Sequence, residues 1–125
     1  MANTDTAASD PWQPFNGGSS LGEEGSEQGM IIRDEAHPGG ARITLEREPA
    51  LVPFAITCTI YGWMVHTVYF AAEEQAQQVY EEMKPDLARI LGMIPAEDDP
   101  DTDAAFPVIA KAVKDFVARF PYNRA

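Results

Sequence analysis

The sequence predicts an α+β domain in which a four-stranded antiparallel meander over residues 30–70 is followed by two helices that cover one face of the sheet. Three observations carry that expectation. Residues 51–72, LVPFAITCTIYGWMVHTVYFAA, contain no Asp, Glu, Lys or Arg. A Pro-Gly-Gly turn stands at 38–40. Beyond Ala71 the apolar spacing changes from alternation to steps of three and four.

The charge-free run approaches the roughly 20 residues of a membrane-spanning helix. Its composition argues against one: Thr57, Thr59, Tyr61, Gly62, His66 and Thr67 dilute it, Pro53 stands near its start, and β-branched and aromatic residues alternate. It therefore reads as two strands turning at Tyr61 and Gly62. A two-residue turn sets Thr57 opposite His66, whereas a three-residue loop including Trp63 sets Cys58 opposite His66. The second register is preferred because it gathers Phe54, Ile56, Cys58, Ile60, Met64, His66, Val68 and Phe70 on one nearly apolar face, as a helix-covered sheet requires.

Residues 30–48 read as the preceding hairpin, MIIRDE and ARITLERE around AHPGG. With Pro38 and Gly39 as central turn residues, Glu35 lies opposite Arg42 and Ile32 opposite Leu45, and Ile32, Ile43 and Leu45 point inward. The same pairing sets Asp34 beside Ile43 on the apolar face, an inconsistency that a bulge or another register would remove. After the sheet, Ala72, Ala76, Val79, Met83, Leu87 and Ile90 or Leu91 mark an amphipathic helix over 71–91, stopped by Gly92. Pro85 is expected to kink it near Met83 and Lys84, or to begin a new helix. An acidic loop over 95–103 leads to a second helix at about 104–120, with Phe106, Ile109, Val113, Phe116, Val117 and Phe120 on its buried side and Pro121 at its end.

Nine basic against twenty acidic residues give a formal charge of -11. Such a surface repels nucleic-acid phosphates and anionic membranes, so neither is expected as a partner, and a basic protein surface is the complement. Residues 1–29 are dominated by Gly, Ser, Asp, Glu, Asn and Thr and read as a flexible acidic tail ahead of a single domain at 30–125. The N-terminal MANTDTAASD has neither a basic n-region nor an apolar h-region, and the single Cys58 cannot form an internal disulfide. A cytoplasmic location is the expectation.

Candidate chemistry is sparse. GxxxxGK[ST], GxGxxG and HExxH do not occur. Cys58 and His66 form the only pairing of a thiol with a base, but an apolar sheet face raises a thiol pKa and no third, orienting group is evident, so Cys58 reads as a core residue. In RDEAH, strand alternation sends Asp34 away from Arg33 and Glu35, which favours a solvated hairpin with cross-strand ion pairs. Asp99, Asp101 and Asp103 have the spacing that opens a calcium loop, but Ala104 and Ala110 occupy the positions of its Gly and bidentate Glu. Those aspartates read as an acidic cap on the second helix. One Cys and two His give no zinc spacing, so no catalytic residue, metal or cofactor is assigned.

The informative surface is the sheet face left uncovered, with Ala55, Thr57, Thr59, Val65, Thr67 and Tyr69, and Trp63 near the turn. It is too apolar for an indifferent solvated face. Trp12 and Phe15, the large apolar residues of the tail, either dock on this chain's own sheet or bind a partner. The expectation is a small acidic non-catalytic binding or regulatory protein, of adaptor or inhibitor type. It would recognise a protein partner, or a second copy in a homodimer, through Thr57, Thr59, Trp63, Val65, Thr67 and Tyr69 with Trp12 and Phe15. The alternative is a small-molecule-binding or enzymatic domain whose pocket lies between sheet and helices, with His66, Cys58, Tyr61 or Tyr80 supplying polar groups.

Overall fold

The structure, a computed structural model, describes residues 11–49, 52–95, 102–121 and 123–124. The class is α+β, with a largely antiparallel sheet and two helices. Four long strands form the meander: β2 (Met30–His37), β3 (Ala41–Arg47), β4 (Phe54–Ile60) and β5 (Met64–Phe70). The sheet is wider than the expected four strands. A fifth antiparallel strand, β1 (Gln13–Pro14), pairs with β2, and the two-residue β6 (Asn123–Arg124) runs parallel to β5. Both additions are too short to leave a periodic signature, which is why alternation does not reveal them. Among the described residues no helix is long and apolar enough to cross a membrane.

The β4–β5 register is the one with Cys58 opposite His66, joined through a three-residue turn in which Gly62 takes a φ of 85°. The β2–β3 hairpin differs from expectation by one residue. Its turn is also three residues long, so His37 faces Ala41, Glu35 faces Ile43 and Asp34 faces Thr44, with a bulge at Ile32 restoring phase toward Met30. The expected Glu35–Arg42 ion pair is therefore absent. Arg42 bonds Asp34 on one face, and Glu35 meets Arg33 and Lys84 on the other. The one-residue slip that moves Asp34 off the apolar face settles the inconsistency seen in the sequence.

Helix α1 (Glu73–Leu91) and helix α2 (Thr102–Arg119) cover the face bearing Ile43, Leu45, Ile56, Cys58 and Val68. Glu73 and Glu74 sit in the first turn of α1 and Arg89 in its last, each complementing the helix dipole. Helix α1 runs through Pro85, an exposed position where the Glu81 carbonyl left without its N–H can face water. In α2 the buried stripe is Ile109, Ala112, Phe116 and Phe120. Phe106 and Val117, expected inside, lie on the adjacent stripe and are exposed, and Val113 is half-buried. The acidic loop residues 96–101, including Asp99 and Asp101, fall outside the described residues, while Asp103 stands in the first turn of α2.

Candidate functional site

The helix side of the sheet is filled. Tyr80, Met83, Leu87, Ile90, Ile109 and Phe116 pack on Ile43, Leu45, Ile56 and Ile60, all at or near zero exposure. The polar groups considered for a pocket there do not converge. The Tyr80 hydroxyl donates to Ile43 O at 3.2 Å, and burial raises its pKa. His66 donates from Nε2 to Phe120 O at 2.5 Å, which fixes the ring as a tie between β5 and the end of α2. Cys58 Sγ turns to the His66 carbonyl at 3.5 Å, and burial pushes its thiol up to about 12, so His66 and Cys58 share a register without forming a thiolate and base. Tyr61 is exposed at the hairpin tip.

The opposite face is built differently. Its side chains form three lateral rows: Ala36, Arg42, Thr59 and Val65; Asp34, Thr44, Thr57 and Thr67; Ile31, Glu46, Ala55 and Tyr69. Residues 11–29, read from composition as a tail, lie against this sheet. Trp12 flanks β1 with 8% exposure and meets the His37 ring edge-on at 5.2 Å, within the core. A short 3₁₀ turn, Phe15–Gly18, follows, and the Phe15 ring takes the Arg42 guanidinium at 3.6 Å.

Two buried carboxylates fasten this segment. Asp34 accepts from Ser20 Oγ at 2.7 Å, from Arg42 Nε at 2.9 Å and Nη2 at 2.7 Å, and from Thr44 Oγ1 at 3.1 Å. Those bonds raise the Arg42 pKa above its ordinary value. Glu46, fully buried, accepts only backbone N–H groups, from Gly29 at 2.9 Å and Glu27 at 3.2 Å. Burial raises the Glu46 pKa against the pull of those amides, with no cation beside it among the described residues. Glu27 in turn accepts from the Tyr69 hydroxyl at 2.8 Å, so residues 25–29 bridge from β3 to β5 across Ala55.

These walls leave a groove of about 400 Å³. Ile31, Arg42, Thr44, Thr57, Thr59 and Val65 line it from the sheet, and residues 15–16, 19–20 and 23–26 line it from the covering segment. The floor is open toward β5, where Val65 is 73% exposed and Thr57 shares a 3.3 Å hydroxyl contact with Thr67. Glu23 and Glu24 line the groove, exposed and without an ion pair or side-chain hydrogen bond among the described residues.

Of the residues singled out from sequence, Thr57, Thr59, Val65 and Phe15 meet in the groove, with Thr67 and Tyr69 beside it. Trp63 is elsewhere, against Phe106 at 5.3 Å on the helix side, and Trp12 is inside the core. Sequence reading missed Asp34, Arg42, Glu46, Ser20 and the Glu23–Glu24 pair as parts of one site. The misfit of Asp34 in the assumed register was the available signal. Compared with protein-family models, curated proteins and solved structures, the chain matches none, so the site is read from its geometry.

Proposed function

We propose that this is a small acidic non-catalytic binding protein that recognises a basic surface of another protein through the groove on the outer face of its sheet. One observation carries the reading: among the described residues Glu23 and Glu24 are uncompensated at a hydroxyl-lined groove, while the one lining cation, Arg42, is already committed to Asp34. The net field of the groove is therefore negative, in a chain of formal charge -11. Charge of this kind steers a basic partner and raises its on-rate. Binding, not acid–base chemistry, also fits the commitments of the two buried carboxylates, since Asp34 and Glu46 spend their oxygens on hydroxyl, guanidinium and amide donors within the chain. A homodimer through the same face would bring like-charged Glu23 and Glu24 pairs to one seam, so a heterologous partner is the better fit.

Capture from native-host lysate at low and high salt, with wild type beside a Glu23→Lys/Glu24→Lys variant, tests the reading. A basic protein that is retained by wild type, released by salt and lost with the variant is the expected result. Equal retention by both proteins at high salt, or no retained protein, defeats it.

A further inference from the structure

The loop of residues 25–29 differs from the rest of the N-terminal segment in what it covers. Its amides at Glu27 and Gly29 are the hydrogen-bond donors to the Glu46 carboxylate, and Gly25 lies directly against that group. A Cβ at Gly25 would stand 2.6 Å from Glu46 Oε2 and 2.7 Å from Oε1, with no positive φ to account for the glycine there. The loop holds itself through Gly25 N–H to Gly29 O at 2.8 Å and Gln28 N–H to Gly25 O at 3.0 Å, with Gln28 at a φ of 72°. It contributes no apolar anchor, its sequence being GSEQG. Gly25 and Ser26 also line the groove, so the loop is the wall between the groove and Glu46.

We propose that residues 25–29 are a flap over a carboxylate subsite, and that a cationic side chain of the partner replaces the flap's two amides at Glu46. The inference rests on the binding reading for its purpose and extends it to a named residue. The amide bonds to Glu46 are already charge-assisted through the acceptor, and a Lys or Arg head would add the donor's charge, giving this buried carboxylate a counter-ion that the described residues do not supply. Lifting the flap also uncovers Ala55 and frees Tyr69 from Glu27, which lengthens the groove by one row of the sheet. An extended segment lying along β4 and β5 would then place hydroxyl-contacting residues over Thr57 and Thr59 and its cation over Glu46.

The flap and the subsite are tested separately on the full chain. In amide exchange, Glu27 and Gly29 are expected to open locally and exchange at least on the order of 100-fold faster than the central β4 amide of Cys58. Gly25→Ala should accelerate them on the order of tenfold further, leaving Cys58 unchanged. Exchange of Glu27 and Gly29 at the rate of Cys58 in wild type overturns the flap. For the subsite, an acetylated and amidated Thr-Lys-Thr tripeptide is titrated while the Glu27 and Gly29 amide resonances are followed. Shifts that saturate, vanish in Glu46→Gln and are not produced by the norleucine analogue are the expected result. No shift at millimolar peptide, or equal shifts with norleucine, overturns the subsite. Failure of lysate capture with a positive peptide result removes the protein-partner reading and leaves the subsite standing.

Discussion

The two faces of one sheet are covered by different physics. On the helix side, Ile43, Leu45, Ile56, Cys58 and Ile60 disappear beneath Tyr80, Met83, Leu87 and Phe116, and burial of apolar area at roughly 25 cal/mol per Å² supplies the cohesion. On the outer side, a glycine- and serine-rich segment is held by hydrogen bonds to Asp34 and Glu46, and a groove remains between the two layers. A cover made of apolar contacts is space-filling and does not discriminate among what it excludes. A cover made of polar contacts can be exchanged for another set of donors with a small net change, because the incoming donors replace bonds of the same kind, each worth about 1.5–3 kcal/mol to a charged acceptor once water is counted. That difference suits the helix side to stability and the outer face to the recognition proposed for it.

The contrast can be broken or sharpened by substitution. The largest effect is expected on the helix side: Leu87→Ala, at a fully buried position, should cost about 2–5 kcal/mol in denaturant unfolding. A loss below 1 kcal/mol would mean that the helices do not dominate the fold. On the outer face, Asp34→Ala removes the acceptor shared by Ser20, Arg42 and Thr44. It should cost about 1–3 kcal/mol, less than Leu87→Ala because the half-buried Arg42 can turn to water. The same variant should loosen Ser20 amide exchange while leaving β4 amides protected, and uniform loosening would show that the two covers are one cooperative unit.

The smallest effect concerns pH. Burial raises the Glu46 pKa above its ordinary 4.5, so the folded state binds that proton more tightly than the unfolded chain does. Its contribution is fully present below pH 4.5 and is lost as pH rises through the raised value. Glu46→Gln does not titrate. The stability of the Gln variant relative to wild type should therefore increase from about pH 4 to pH 7, and a difference flat across that range would place Glu46 in a fully hydrated environment.

How much of this was legible in the sequence follows from the range of the interactions. Phe54 to Phe70 alternates cleanly because each residue answers to its own face, and Ala76, Val79, Met83 and Leu87 repeat because one stripe meets the sheet. Phe106 and Val117 misled because an apolar residue on a neighbouring stripe keeps nearly the same period while remaining outside. The groove was half visible: Thr57, Thr59 and Val65 announced an unusual outer face. What covers that face was hidden, since Gly25, Glu27 and Gly29 act through backbone amides, and a backbone amide leaves no mark on residue type. Glu46, which receives the Glu27 and Gly29 amides, and Asp34, which receives the Ser20 hydroxyl, read as ordinary polar alternation until the register is known. In Asp34 the register error itself was the trace.

The lone thiol has a practical consequence for studying motion in this molecule. Cys58 lies at the centre of the sheet, between Ile43 and His66, and its high pKa leaves almost no thiolate at neutral pH. A cysteine introduced at Leu21, half exposed on the covering segment, would be the one sulfur that maleimide reagents reach. A single fluorophore or spin probe could thus be seated on the covering segment of the native chain, next to the proposed flap, with no background from the sheet beneath.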